Sequence, residues 1–459
     1  MRKIFIILIG IVVLSSCDET LTIPPNTALI ADTAFNDVED LEFALNGVYA
    51  TLDRFNYIQF NSTFSDETKI GVDNGGQQFN VHSLILNSNT AAAENIWTNR
   101  YRMINRANRV IEAAGLIEVE DQTAVNDIVG QAMALRALAH FELYQFYTPN
   151  FTDPSVMSVP AVTEIVTTQN LSRNTAGEVI NLVNSDIAQA LQLLDPNQTD
   201  INFMTMDAVR ALQAKVAFFT GDFATALAVS RPLIESYPIT NRDDYLAMFI
   251  DDTNKQEVIY QAGVVVGDVR IAGAWVFTNQ FGPFLEVADG LIGAIDNLEE
   301  DIRLETIIDV PRAIGTGVQV VNKYPGVAEP GLNDIKIFRG AEMLLIAAES
   351  SARPGDLGTA SSLITSLRQA RINEEQNVIF NSQADAIDFI ANERRIELAN
   401  EGSRFLDLKR LNRSLERNVS DCENLTNACL LPAGDFRFAM PIPIGELSAN
   451  DLITQNPGY

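Results

Sequence analysis

Apolar residues recur with a helical period over long stretches of the chain and lose it in two places. In 38–53, Leu41, Ala44, Leu45, Val48 and Leu52 fall at i, i+3, i+4, i+7 and i+11, one face of an amphipathic helix. In 94–113 a second stripe, Trp97, Tyr101, Ile104, Asn108 and Ile111, steps by 4, 3, 4 and 3. Residues 126–147 are apolar on nearly all sides, which predicts a central, buried helix. Thr175 to Glu178 reads as a capping box opening a helix over 176–194, with the stripe Val179, Leu182, Val183, Ile187, Ala190, Leu191 and Leu194. Helix returns at 340–371 and 384–412.

Two of these helical stretches repeat one another. Residues 207–235 and 341–371 each show an Ala-rich helix, then Gly-Asp-[Phe/Leu]-x-x-Ala, then a second helix. Gly221 and Gly355 are placed to end the first helix and Asp222 and Asp356 to cap the second, while Ala226 and Ala360 let paired helices approach closely. The pattern is similar to tetratricopeptide helix pairs, scattered rather than arrayed. The period fails over 56–93, which is polar and Gly/Asn-rich, and over 267–335, which is Gly/Pro-rich with short strand-like pieces such as VQVVNKY. A strand is expected at 256–266 and another at FRFAMPIP in the tail. Loops as long as the second break are functional or unstructured.

The longest unbroken apolar run, Ile4 to Leu14, follows Arg2 and Lys3 and stops at Ser15-Ser16-Cys17. It is too short to span a bilayer, which needs about 20 apolar residues, and it matches the core of an export signal. No later segment offers an apolar run of membrane-spanning length. Leu14-Ser15-Ser16-Cys17 resembles a bacterial lipobox, so the signal 1–16 is expected to be cleaved and Cys17 lipidated. The alternative is an ordinary signal with an incidental cysteine. Residues 17–34, rich in Thr, Pro and Asn, read as a tether.

Charge and rare residues narrow the chemistry. The formal charge is −28, and loss of Arg2 and Lys3 with the signal takes it to −30. A field of that sign repels nucleic acid, so none is expected as a partner. Cys422 and Cys429 lie in CENLTNAC, and in an exported protein a disulfide-closed loop is expected, a two-cysteine metal site being the alternative. Only two histidines are present. His140 sits in an apolar helical stretch and reads as core, and His82 has no motif around it.

The pieces match, in order, the RagB/SusD family of outer-membrane nutrient-binding lipoproteins. They are Cys17, LEFALNGVYATL (41–52), IWTNRYRMINRANRVIE (96–112), QAMALRALAHFELYQFY (131–147), GDFATA (221–226), FRGAEMLLIAAES (338–350), NERRIELANEGSRFLDLKRL (392–411) and the terminal QNPGY. The resemblance implies a mainly α fold of tetratricopeptide-like helix pairs with an irregular, ligand-facing insertion. It also implies a surface lipoprotein of the cell outer membrane, anchored by lipid, that caps a SusC-like TonB-dependent β-barrel transporter. The chain is accordingly divided into an N-terminal helical region, 35–255, and a C-terminal region, 256–459, that includes the insertion 256–335.

Two walls are candidates for ligand contact. Trp275 lies among glycines with Phe277, Phe281 and Phe284 nearby, and flat aromatics of this kind serve carbohydrate binders as platforms. The competing reading is that Trp275 plugs the insertion onto the helices. Residues 57–80 are the other wall, with Tyr57, Phe60, Asp66, Asp73, Asn74, Gln78 and Phe79, and Tyr324 is a further candidate. Asp66, Asp73 and Asn74 do not fit EF-hand spacing, so no metal is assigned. Glu393, Glu397, Glu401 and Asp407 suggest a glycosidase carboxylate pair, but the interleaved arginines favour a structural ion-pair network. No Walker A sequence appears and Gly315-Thr-Gly317 lacks the third glycine of a dinucleotide fingerprint, so no cofactor is expected. The expected function is non-enzymatic capture of an oligosaccharide, with a peptide ligand, a surface glycosidase and a plain helical scaffold as the alternatives.

Overall fold

A computed structural model describes residues 35–118, 120–277, 282–327, 329–422 and 428–459. The signal, Cys17 and the tether, as well as Phe281, lie outside the described residues. Helices dominate: α1 (Val38–Tyr49), α2 (Phe55–Thr63), α3 (Ala91–Ala114), α4 (Gln122–Tyr147), α5 (Ala176–Leu193), α6 (Met206–Thr220), α7 (Phe223–Ser236), α8 (Arg242–Ile250), α9 (Gly340–Ala352), α10 (Leu357–Arg371), α11 (Gln383–Glu397) and α12 (Arg404–Arg410). None of the described helices is long and apolar enough to cross a membrane. Short strands β1 (Thr68–Ile70), β2 (Val258–Ala262), β3 (Leu285–Val287), β4 (Ile335–Arg339), β5 (Leu415–Glu416) and β6 (Leu430–Leu431) pair antiparallel as β1–β3, β2–β4 and β5–β6.

Helix α4 is the axis of the fold. Its apolar residues lie on every side, so it packs against α3, α5 and α1 together. The two copies of the repeat form the hairpins α6–α7 and α9–α10. Gly221 and Gly355 end their stretches with positive φ, and Asp222 and Asp356 accept the backbone N–H of Thr225 and Thr359 at the start of the next helix. Helix α9 then packs against α7, which stacks one hairpin on the other, and every residue of α9 is buried. One core runs through the molecule from Leu41 to Ile453, with a smaller cluster around α9, α10 and α11.

Four local expectations need correction. Residues 56–93 are not irregular throughout, because Tyr57 to Thr63 are all buried in helix α2, and burial on all sides erases the amphipathic signal. Helix 384–412 is two helices: the chain breaks at 398–403, where Asn400 and Gly402 have positive φ and a Cβ on Gly402 would fall 2.7 Å from the Tyr57 ring. FRFAMPIP begins as a 3-10 turn, Phe436–Phe438, and the late strand is β6 instead. VQVVNKY makes only an isolated bridge, Ile308 to Val321.

The charged block around α11 and α12 is internal. Glu393 pairs with Arg303 and Arg368, Glu397 with Arg339, Arg371 and Arg303, Glu401 with Arg339 and Lys323, and Asp407 with Arg394 and Arg410. These pairs tie β4 and the 301–303 turn of the insertion to the C-terminal helices, a positional role consistent with the structural reading of the block.

Candidate functional site

Helix α2 and the segment after it carry half of the first candidate wall, and they face inward. Tyr57 is 2% exposed and Phe60 is 1% exposed. Phe60 packs against Phe64, Phe146 and Phe405 at ring distances of 5.2, 5.9 and 5.3 Å. Asp66 is buried, with Arg404 donating to both of its oxygens at 2.7 and 2.8 Å and Arg395 3.1 Å away. Burial opposes its charge, but the two guanidinium groups hold the carboxyl well below the ordinary range. Its neighbour Glu67 has no such partners and is pushed up to about 8, chiefly by burial.

In the Trp275 wall Trp275 itself turns inward, and so does the further candidate Tyr324. Trp275 is 1% exposed, stacked on buried Tyr324, and its Nε1–H donates to Ser62 Oγ at 2.9 Å. An aromatic whose polar edge is satisfied inside contributes to packing rather than to a wet platform. Tyr57, Phe60, Asp66, Trp275 and Tyr324 are therefore withdrawn from direct ligand contact, and Trp275 is the plug that fastens the insertion to α2.

What remains is assembled by strand pairing. Residues 71–79 follow β1, residues 282–284 precede β3, and the β1–β3 ladder continues between them. Gly71 N–H donates to Phe284 O at 3.0 Å and Asp73 N–H to Pro283 O at 3.1 Å. Asn74 Nδ2 bonds Phe284 O at 2.8 Å, while the Phe277 and Phe284 rings lie 5.1 Å apart. Gly282 passes directly beneath Asp73: a Cβ there would fall 2.0 Å from Asp73 Oδ2. Gln59 on α2 sets both strips, accepting from Gln78 Nε2 at 2.9 Å and donating to Ala274 O at 3.0 Å. Two walls about 200 residues apart thus become one face, with Asp73 and Phe79 exposed and Asn74 and Phe277 half-buried.

Comparison with known proteins fits this architecture. A family profile described as "Starch-binding associating with outer membrane" matches residues 28–218, and one described as the SusD family matches 319–459. The chain belongs to the SusD/RagB family. SusD-like protein P38 of Formosa agariphila is 26% identical over 519 residues, covering 99% of this chain and 98% of that protein. A SusD superfamily structure from Bacteroides thetaiotaomicron superposes with a TM-score of 0.82 at 23% identity, covering 92% of this chain and 99% of the other. A laminarin-binding SusD-like protein superposes at 0.71 with 21% identity, covering 93% and 100%.

Within this SusD-family fold the histidines are built in. His140 donates from Nδ1 to Arg136 O and accepts from Val162 N–H at Nε2, and His82 lies 3.0 Å from Thr68 O. Burial pushes both down to about 3, so both imidazoles are neutral. Cys422 and Cys429 form a disulfide. Two concavities flank α3 and were not foreseen. One, of about 870 Å³, is lined by Asn56, Asn99, Arg102, Asn202 and Lys255 among others. The other, of about 470 Å³, includes Tyr101, Arg102, Asn105, Gln169 and Asn170. The residues of the larger come from six separate segments and those of the smaller from four, so no local motif marks them.

Proposed function

We propose that this chain is a non-enzymatic, lipid-anchored binding protein of the outer membrane that captures an oligosaccharide on the face formed by 71–79 with 276–277 and 282–284. The observation that carries the reading is the union of the two strips: an exposed aromatic, a half-buried one and polar side chains lie on one surface held by backbone hydrogen bonds. Such a mix of apolar faces and oriented polar groups suits a sugar ring, which has both. The family profile's starch-binding description and the laminarin-binding relative support the ligand class. The carboxylates that would serve a glycosidase are each committed to arginines, which disfavours that alternative. Cys17 would hold the protein at the membrane surface, and a SusC-like TonB-dependent barrel would receive the ligand.

Calorimetry against a panel of neutral glycans and a peptide mixture tests the ligand class. A glycan that binds wild type and loses at least tenfold affinity in the Phe79→Ala and Asn74→Ala variants supports the reading. Binding of peptides alone, or unchanged affinity in both variants, overturns it. Gentle purification from the native outer membrane tests delivery, with a stoichiometric barrel as the expected companion.

A further inference from the structure

Most arginines of this chain are consumed inside it, in pairs such as Arg303–Asp301 and Arg371–Glu257. Helix α3 is different. Arg102, Arg106 and Arg109 are all exposed and fall at i, i+4 and i+7, one stripe along its outer side. Arg102 bonds Asn99 Oδ1 at 3.3 Å and Arg106 bonds Gly47 O at 2.5 Å. Among the described residues no ion pair joins any of the three to an acid, in a chain whose net charge is −28. At 1.5 Å per residue the stripe is about 10 Å long. Arg102, at one end of the stripe, also lines both concavities beside α3, where amides and hydroxyls stand with Asp53, Asp268 and Asp334 in one and Glu446 in the other.

We propose that this arginine stripe forms a second ligand surface, separate from the face of 71–79 with 276–277 and 282–284, for a glycan bearing carboxylate or sulfate groups. Guanidinium is the side chain best shaped for such groups, because its planar fork pairs with two oxygens at once. The amides Asn56, Asn99, Asn105, Asn202 and Gln169 line the depressions beside Arg102 and can pair with the hydroxyls of a sugar chain. The negative charge of the molecule does not defeat this, since at physiological ionic strength charges beyond about 8 Å are largely screened. The proposal rests on the glycan-capture reading but uses different residues, so the two are separable.

The test is affinity electrophoresis and calorimetry of the purified protein with polygalacturonate, κ-carrageenan and neutral laminarin. The variant Arg102→Gln/Arg106→Gln/Arg109→Gln changes only exposed side chains, and an unchanged melting temperature checks its fold. The expected result is binding of at least one polyanion by wild type, a loss of tenfold or more in the triple variant, partial recovery in the triple Arg→Lys variant, and no effect of Phe79→Ala. Wild type that binds neither polyanion, or a triple variant that binds as wild type does, overturns the proposal. So does displacement of the polyanion by phosphatidylglycerol vesicles at lower concentration than by free polyanion, which would assign the stripe to a lipid surface. Loss of polyanion binding in Phe79→Ala alone would place all glycan binding on the first face and remove the second.

Discussion

Residues 57–67 and 71–79 lie on either side of β1 and meet opposite fates. Both carry aromatics, acids and amides. The first is core: Phe60 meets Phe405 and Asp66 meets Arg404, partners more than 300 residues away. The second meets the backbone of 283–284 and, through Val72 N–H and Gln78 Nε2, the side chains of Glu286 and Gln59, and leaves Asp73, Gln77 and Phe79 exposed. The contrast continues within the first segment, where adjacent Asp66 and Glu67 are shifted in opposite directions because burial dominates at Glu67 while Arg404 and Arg395 pair directly with Asp66. A side chain's role here is set by what the rest of the chain brings to it, not by its own type.

Substitutions sharpen the contrast in order of their effect on stability. Phe60→Ala removes a ring from a packed aromatic cluster and is expected to cost roughly 3–5 kcal/mol, read by chemical denaturation. Arg404→Met leaves Asp66 buried with Arg395 alone and is expected to cost a similar ~3–5 kcal/mol. If either variant unfolds with the wild-type midpoint, the inward assignment of this segment is wrong. Trp275→Phe deletes the bond to Ser62 Oγ and is expected to cost about 1–3 kcal/mol, with ligand affinity per folded molecule unchanged.

The pH dependence comes next. Glu67 is raised in the fold, so its contribution is fully favourable below the ordinary carboxyl value of 4.5 and is lost as pH rises toward about 8. Glu67→Gln is therefore expected to flatten the stability profile between those values and to gain most above pH 8. A profile identical to wild type would place Glu67 in contact with solvent. His82 and His140 act oppositely: lowered from 6.5 to about 3, they weaken the fold as pH falls below 6.5. Smallest in stability is Asn74→Ala, expected to stay near ~0.5 kcal/mol or below as an outer-loop change, while ligand binding falls. The outer segment is thus dispensable to the fold and needed by the ligand, and the inner one the reverse.

Much of the scaffold was legible along the chain. The stripes of α1 and α3, the all-round apolar α4, the capping box at Thr175 and the paired Gly-Asp turns at 221 and 355 are local signals, because helix periodicity and capping are decided within a few residues. The charged block 392–410 was legible as an ion-pair network from its alternation of sign. The candidate site was legible only in outline. Its two strips were both named, yet nothing in either announced that β1 and β3 would join them, since strand pairing over some 200 residues leaves no local trace.

The sequence by itself determined the helical scaffold, its repeated hairpins and the family to which the chain belongs. Tertiary structure alone decided which aromatics face out. Tyr57, Phe60 and Trp275 are flat aromatic side chains in segments without period, suited to a core or a platform, and the choice went to the core where Phe146, Phe405, Tyr324 and Ser62 closed around them. Phe79 met no such enclosure and remained at the surface.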